Sequence, residues 1–196
     1  MIMVKLILKE MLHELISYIE GPYFLGDGGL LGLIREKDLL DHDDDLDLYL
    51  LPGTVINIPT NSNLDIAKYY MDSKVYRKQT HPPKFNKWIE YCSFIKTKNM
   101  NLNLNRAQVC SLASKTYKVE AIDAKWSKPY IDIFYLKLEF NRYIYNYWPQ
   151  YFKIEEIEPL QINNDLGFDV SIPNLPEDIL ERQYGDWEVV NKEFKY

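Results

Sequence analysis

Gly26-Asp27-Gly28-Gly29-Leu30-Leu31-Gly32, then Arg35, then Asp41-His42-Asp43-Asp44-Asp45-Leu46-Asp47-Leu48 is the stretch that decides the fold. In its second half carboxylates alternate with leucines, the period of a strand with one apolar face. Asp45 and Asp47 then point to the same side, close enough to share a cation. Crowding like charges onto an ordered strand is unfavourable unless something neutralises them. A divalent ion with oxygen ligands is the natural solution. A solvated acidic loop is the usual alternative for such a run, and the strand alternation argues against it. In the first half, residues 23–25 read as a short extended piece and Gly26 to Gly29 as a tight turn. Residues 30–37 read as a helix that starts directly after the glycines. Glycines between a strand and a helix let the backbone approach a ligand closely, and the amides of a helix start favour phosphate. Arg35 sits about two turns into that helix. It is placed either for a bidentate phosphate contact or for an ion pair with Glu36 or Asp38.

Downstream, residues 46–51 form the strand candidate, ended by Pro52 and Gly53. Tyr130-Ile131-Asp132-Ile133-Phe134 opens a second one over residues 130–138. Ile131, Ile133 and Tyr135 share one face, with Asp132 and Phe134 on the other. A carboxylate in so apolar a strand is costly to bury alone, and an ion shared with Asp45 and Asp47 would compensate it. Three carboxylates are enough to place two ions for a phosphoryl transfer and to activate an acceptor hydroxyl. Residues 63–71 read as a surface helix capped by Asn61 or Ser62. Residues 88–95 and 117–122 are strand candidates, and residues 141–148 a helical one. Asn174, Pro176 and Glu177 mark a capped helix start, and Gly185 its end. Irregular alternation of helices and strands implies an α+β domain, a mixed β-sheet flanked by helices.

The chain has 196 residues, sufficient for one domain with a sizeable core, and residues 1–196 are read as that domain. Its net charge of −6 argues against nucleic acid as the main partner. Val4, Leu8, Met11, Leu12, Leu15, Ile16 and Ile19 recur at helical spacing, so residues 1–20 form an amphipathic helix packed on the core. Membrane contact is then at most peripheral. Cys92 and Cys110 with His13, His42 and His81 lack zinc-ligand spacing. No secretion signal is visible, so reduced thiols and a cytoplasmic location are expected. The dense aromatics of residues 143–152 are core by default, with base or sugar stacking as the alternative.

The run from Gly28 through Asp47 resembles the LicD/fukutin family, whose pattern GxLLGxxR…WDDDxD it follows without a gap. Tyr130-Ile131-Asp132-Ile133-Phe134 resembles that family's second motif. Ile157-Glu158-Pro159-Leu160, Pro173, Leu180 and Tyr184-Gly185-Asp186-Trp187 resemble its ending. The resemblance implies a polymerase-β-like nucleotidyltransferase fold. It also implies transfer of a phospho-alcohol or phospho-sugar group, such as phosphocholine or ribitol phosphate, from a CDP-linked donor to a glycan or glycolipid acceptor. By the same resemblance Asp45, Asp47 and Asp132 are the catalytic carboxylates and, with Asp43, the ligands of Mg2+ or Mn2+. Gly28, Gly29 and Arg35 contact phosphate. Two departures stand out. Gly29 replaces the usual Ser or Thr, and Asp41-His42 replaces the usual Pro-Trp. The chain is expected to be a bare catalytic domain without stem or anchor.

Other activities share these residues. A nucleotidyltransferase working on a nucleoside triphosphate would use the same carboxylates. A glycosyltransferase would account for the DxD spacing of Asp43 to Asp45 and of Asp45 to Asp47, but for neither the glycines nor Asp132. A binding protein that kept the fold would use none of them for chemistry.

Overall fold

The computed structural model describes residues 2–70, 104–111, 129–144 and 151–190. Its centre is a five-stranded mixed sheet in the order β2-β3-β7-β6-β5. The strands are β2 (Tyr23–Gly26), β3 (Asp45–Leu50), β5 (Leu64–Tyr70), β6 (Leu104–Ser111) and β7 (Tyr130–Tyr135). β3 runs parallel to β7, and the other pairings are antiparallel. Helix α1 (Ile2–Ile16) packs across β7, and helix α2 (Asp27–Glu36) packs on β2 and β3. The protein is therefore a mixed α+β structure. Among the described residues no helix is long and apolar enough to cross a membrane.

Register gives the central strands two distinct faces. Leu46, Leu48 and Leu50 align with Ile131, Ile133 and Tyr135, and Leu25 aligns with Leu48. The leucines and isoleucines of this face are buried, as are Leu8, Met11, Leu12 and Leu15 of α1. At ~25 cal/mol per Å2, removing these side chains from water is the main drive for sheet and helices to associate. The opposite face carries Asp45, Asp47 and Tyr49 beside Tyr130, Asp132 and Phe134, with Phe24 and Gly26 from β2. Its lower half is aromatic. The Tyr49 ring stacks on Phe24 at 5.2 Å and on Phe134 at 5.0 Å, and Phe152 meets Tyr49 edge-on at 5.2 Å.

The remaining elements are small. β1 (Ile19–Glu20) pairs with β4 (Val55–Ile56). β8 (Lys137–Glu139), β9 (Arg142–Ile144) and β10 (Tyr151–Lys153) form a three-stranded antiparallel sheet. β11 (Gln161–Asn163) and β12 (Val170–Ile172) form a hairpin beside β2. One turn of helix, α3 (Ile154–Ile157), precedes that hairpin, and α4 (Pro176–Tyr184) follows it.

Several local expectations are corrected. The surface helix expected over residues 63–71 is not formed, because Leu64–Tyr70 is the edge strand β5, paired residue by residue with β6; residue 71 lies outside the described residues. Ladder pairing outweighs the weak helical propensity of this stretch. The glycines do not form a turn ahead of α2. The helix starts at Asp27, and Gly28 and Gly29 lie in its first turn. Residues 141–148 are not helical at their start, since Asn141 is in a turn and Arg142–Ile144 is a strand, while residues 145–148 lie outside the described residues. The strand expected over 130–138 breaks at Leu136 into β7 and β8, and α1 stops at Ile16, ahead of β1. Asn174 does not cap α4. Its side-chain amide donates to the Glu155 carbonyl, and Leu175 occupies the cap position without a side-chain bond. The strand candidates at 88–95 and 117–122 lie outside the described residues. In the aromatic stretch, Tyr143 and Phe152 are buried core residues.

The C-terminal part is tied down by a buried carboxylate. Glu156 is only 2% exposed. Arg182 of α4 donates to both its oxygens, at 2.6 and 3.0 Å, and the Lys153 backbone amide donates at 2.9 Å. Burial alone would raise the Glu156 pKa; these donors outweigh it and hold it below the ordinary value of 4.5. A depressed carboxylate contributes stability above its unfolded value, lost as pH falls through the folded one. Arg182→Met strands this carboxylate and is expected to cost about 2 kcal/mol, the usual value for a broken buried pair discounted for the part-exposed arginine. Glu156→Gln should lose little further stability between pH 5 and 3, where the unaltered protein weakens. Urea unfolding at both pH values checks both outcomes.

Candidate metal centre

The site begins with backbone register. Asp47 lies between Gly26 of β2 and Asp132 of β7, so Asp47 and Asp132 present carboxylates to the same face from adjacent parallel strands. Asp45, two residues earlier, joins that face. Asp132 is 5% exposed, whereas Asp43, Asp44, Asp45 and Asp47 are half-buried. Carboxylate oxygens of Asp43, Asp44 and Asp45 lie within 4.8 Å of one another, a spacing that can hold an ion.

The loop between α2 and β3 is shaped to deliver Asp43. Gly32 is packed against backbone, and a Cβ there would come within 2.7 Å of the Asp38 carbonyl and 2.8 Å of the Leu40 amide. Leu39 and Leu40 can therefore fold back onto α2 and bury themselves. Lys5 of α1 bridges Asp38 and Asp41, each at 2.9 Å, and Lys9 bridges Asp38 at 2.5 Å. These two aspartates thus belong to the attachment of α1. Beyond them Asp43 comes to rest against Gly28, where any Cβ would strike its carboxylate. A side chain at position 28 would have to displace the Asp43 carboxylate. Gly29 is buried, and its Cα faces Leu25 and Leu46 in the core rather than the acidic face.

The charges act on one another. Burial first, and then the charges of Asp27, Asp132, Asp45 and Asp43, push the Asp47 pKa well above that of an ordinary carboxylate. Burial and the Asp45 charge push Asp43 up to about 7. Asp27, treated as a turn residue in the sequence, is part of the same assembly. It heads α2 with a φ of 42°, accepts from the Tyr49 hydroxyl at 2.5 Å and from the Gln183 amide at 2.9 Å, and is raised chiefly by burial. The signal that could have exposed it is a carboxylate at the end of a buried strand, directly before two glycines. Gln183 left no signal, being 156 residues away in sequence.

Gly26 provides no side-chain cap to α2, so capping does not occupy the first-turn amides. Arg35, in the last turn, is engaged elsewhere. It donates to Glu36 at 2.8 Å and to the Trp187 carbonyl at 3.2 Å. Of its two alternatives, the ion pair with Glu36 is the one formed; Asp38 is held by the lysines instead. His42 is exposed beside the acidic run.

The donor set suits a hard divalent cation. It consists of carboxylate oxygens without sulfur or imidazole, drawn together and proton-retaining because they repel. No protein-family model matches this chain, and no curated protein sequence matches it either.

Without a cation the cluster should weaken the fold as pH rises. Asp43 and Asp47 carry raised pKa values, so the folded chain holds protons that the unfolded chain has released. Their contribution is complete below about pH 4 and is lost towards and above pH 7. In EDTA at pH 8, Asp43→Asn is expected to gain on the order of 1 kcal/mol, after allowance for its partial exposure. Manganese should stabilise the unaltered protein and have less effect on the variant. Thermal melts with and without the ion provide the comparison, and a destabilised variant in EDTA would show that repulsion does not dominate there.

Proposed function

We propose that this chain is a metal-dependent phosphotransferase with a polymerase-β-like nucleotidyltransferase fold, akin to the LicD/fukutin family. It moves a phospho-alcohol or phospho-sugar group from a CDP-linked donor to a glycan or glycolipid acceptor. One observation carries the reading. The register Gly26–Asp47–Asp132 places an uncapped helix start beside two carboxylates on adjacent strands. Phosphate and cation sites thereby become neighbours, as a transfer at phosphorus requires. A glycosyltransferase with a DxD pair has no need of the carboxylate on β7.

Asp45 and Asp47, with Asp43 and Asp44 grouped around Asp45 and Asp132 alongside, would hold Mg2+ or Mn2+. When bound, such ions stabilise the charge on the attacking and leaving oxygens of an in-line displacement. The chain's own contribution is placement. The first-turn amides of α2 at Gly28 and Gly29 hold the donor phosphate, and Gly28 keeps the Asp43 carboxylate tight against that turn. Asp132 accepts the proton of the acceptor hydroxyl as its oxygen attacks the phosphorus distal to cytidine. The bond from that phosphorus to the bridging oxygen breaks, and CMP leaves. Arg35 reaches the phosphate only by giving up Glu36 and the Trp187 carbonyl. The aromatic floor of Phe24, Tyr49 and Phe134 excludes water from beneath the carboxylates and strengthens electrostatic interactions above it.

Nucleotide products distinguish this reading from its neighbours. A panel of CDP-linked donors with glycan acceptors and Mg2+ or Mn2+ is expected to yield CMP. Asp45→Asn, Asp47→Asn and Asp132→Asn should each lower turnover by roughly 10²–10³-fold or more, with the fold retained. Pyrophosphate released from a nucleoside triphosphate would assign a nucleotidyltransferase, and CDP as the product a glycosyltransferase. Full activity of Asp47→Asn would remove the carboxylates from the chemistry.

A further inference from the structure

The β8–β9 hairpin turns through Phe140 and Asn141, with φ of 48° and 61°. Glu139 pairs with Arg142, so these two residues are the whole loop, and both lie in the left-handed region as a type I′ turn demands. Asn141 suits that conformation. Phe140 does not, because its Cβ crowds the following carbonyl. Phe140 also gains nothing in burial, being 93% exposed, and Leu138 beside it is 52% exposed. A large aromatic on a strained backbone, without packing inside its own chain, points to burial against something else.

Charge indicates what that is. The chain carries −6 overall, yet residues 137–153 hold Lys137, Arg142 and Lys153 against a single anion, Glu139. Arg142 stands between Glu139 and Lys153 in the row nearest the tip and lies over the Tyr151 ring at 4.1 Å; Lys153 also meets Glu156 at 3.5 Å, with half of its side chain still exposed. An apolar tip backed by a basic and tyrosine-bearing row matches the chemistry of a bilayer interface. Aromatic rings lie at headgroup depth there, and lysine and arginine meet lipid phosphates and carboxylates.

We propose that the β8–β9 tip is a membrane-contact site. Phe140 enters the interface of an anionic bilayer, and Lys137, Arg142 and Lys153 face its headgroups. The contact is peripheral and reversible, since one ring and a few charges fall short of stable anchoring. It stands apart from the transferase reading, although a glycolipid acceptor would be met at the same surface.

The test is co-sedimentation of the full chain, without donor or acceptor, with phosphatidylcholine vesicles that contain or lack phosphatidylserine. The unaltered protein is expected to pellet with the phosphatidylserine vesicles, less with phosphatidylcholine alone, and less as salt is raised. Phe140→Asn places a favoured residue in the turn, so its Tm should hold or rise while vesicle binding falls about tenfold. Phe140→Trp should keep most of the binding. No binding of the unaltered chain to either vesicle would overturn the proposal. So would undiminished binding by Phe140→Asn. Loss of self-association in Phe140→Asn, with vesicle binding unchanged, would give the tip to a second copy of the chain instead.

Discussion

Mutual repulsion among carboxylates at the end of β2, β3 and β7 is the constraint around which the rest of this structure is arranged. Backbone register collects them. Once β3 pairs with β2 and β7, Asp47 must stand between Gly26 and Asp132, and Asp45 must face the same way. Among the described residues no lysine or arginine pairs with Asp43, Asp45 or Asp47; the nearby lysines of α1 bind Asp38 and Asp41 instead. Asp27 is satisfied from within, by Tyr49 and Gln183. Carboxylates drawn this close raise one another's pKa, and that repulsion is what a bound cation would relieve.

The two halves of the acidic face depend on each other. Below the carboxylates, Phe24, Tyr49, Phe134 and Phe152 form a dry aromatic floor. That floor lies on one side of Asp47, whose pKa is raised chiefly by burial. Tyr49 belongs to both halves. Its ring stacks in the floor while its hydroxyl donates to Asp27 at the head of α2. Gly26 sits against that ring, where any Cβ would collide with it. The strand-to-helix corner can therefore lie flat on the floor and bring its amides level with the carboxylates.

The acidic face was legible because it is local. Asp45-Leu46-Asp47-Leu48 and Tyr130-Ile131-Asp132-Ile133 each show their faces within a few residues, and alternation on a strand is a strong signal. The pairing of β3 with β7 was not in either pattern, since register is set by the sheet as a whole. Residues 63–71 failed for the same reason. Leu64, Ala67 and Met71 fit helical spacing while Leu64, Ile66 and Tyr70 fit extended spacing, and only the ladder with β6 decides between them. The helix start differs from the expectation because glycine reads as a breaker, whereas Gly28 and Gly29 lie inside the first turn, packed against the side chains of Asp43 and Leu25. Glu156 and Arg182 escaped notice because a long-range buried ion pair has no sequence period.

The C-terminal helix gives the corner its rigidity. Gln183 donates to Asp27 at the first turn of α2, and the Trp187 carbonyl accepts from Arg35 in its last. Both ends of α2 are thus held from α4 and the residues just after it, while Gly32 lets the following loop lie along its flank. A helix start that binds phosphate is useful only if its amides keep their position relative to the carboxylates. With Asp27 φ-strained and Gly26 and Gly28 lacking side chains, the corner has little local stiffness of its own. Its order is imposed from α4, which is in turn fixed through Arg182 to the buried Glu156. The ion pair that secures the C-terminal part and the carboxylates that repel in the site are joined by one helix. A loss at Glu156 should therefore reach the site through Gln183 before it reaches the sheet.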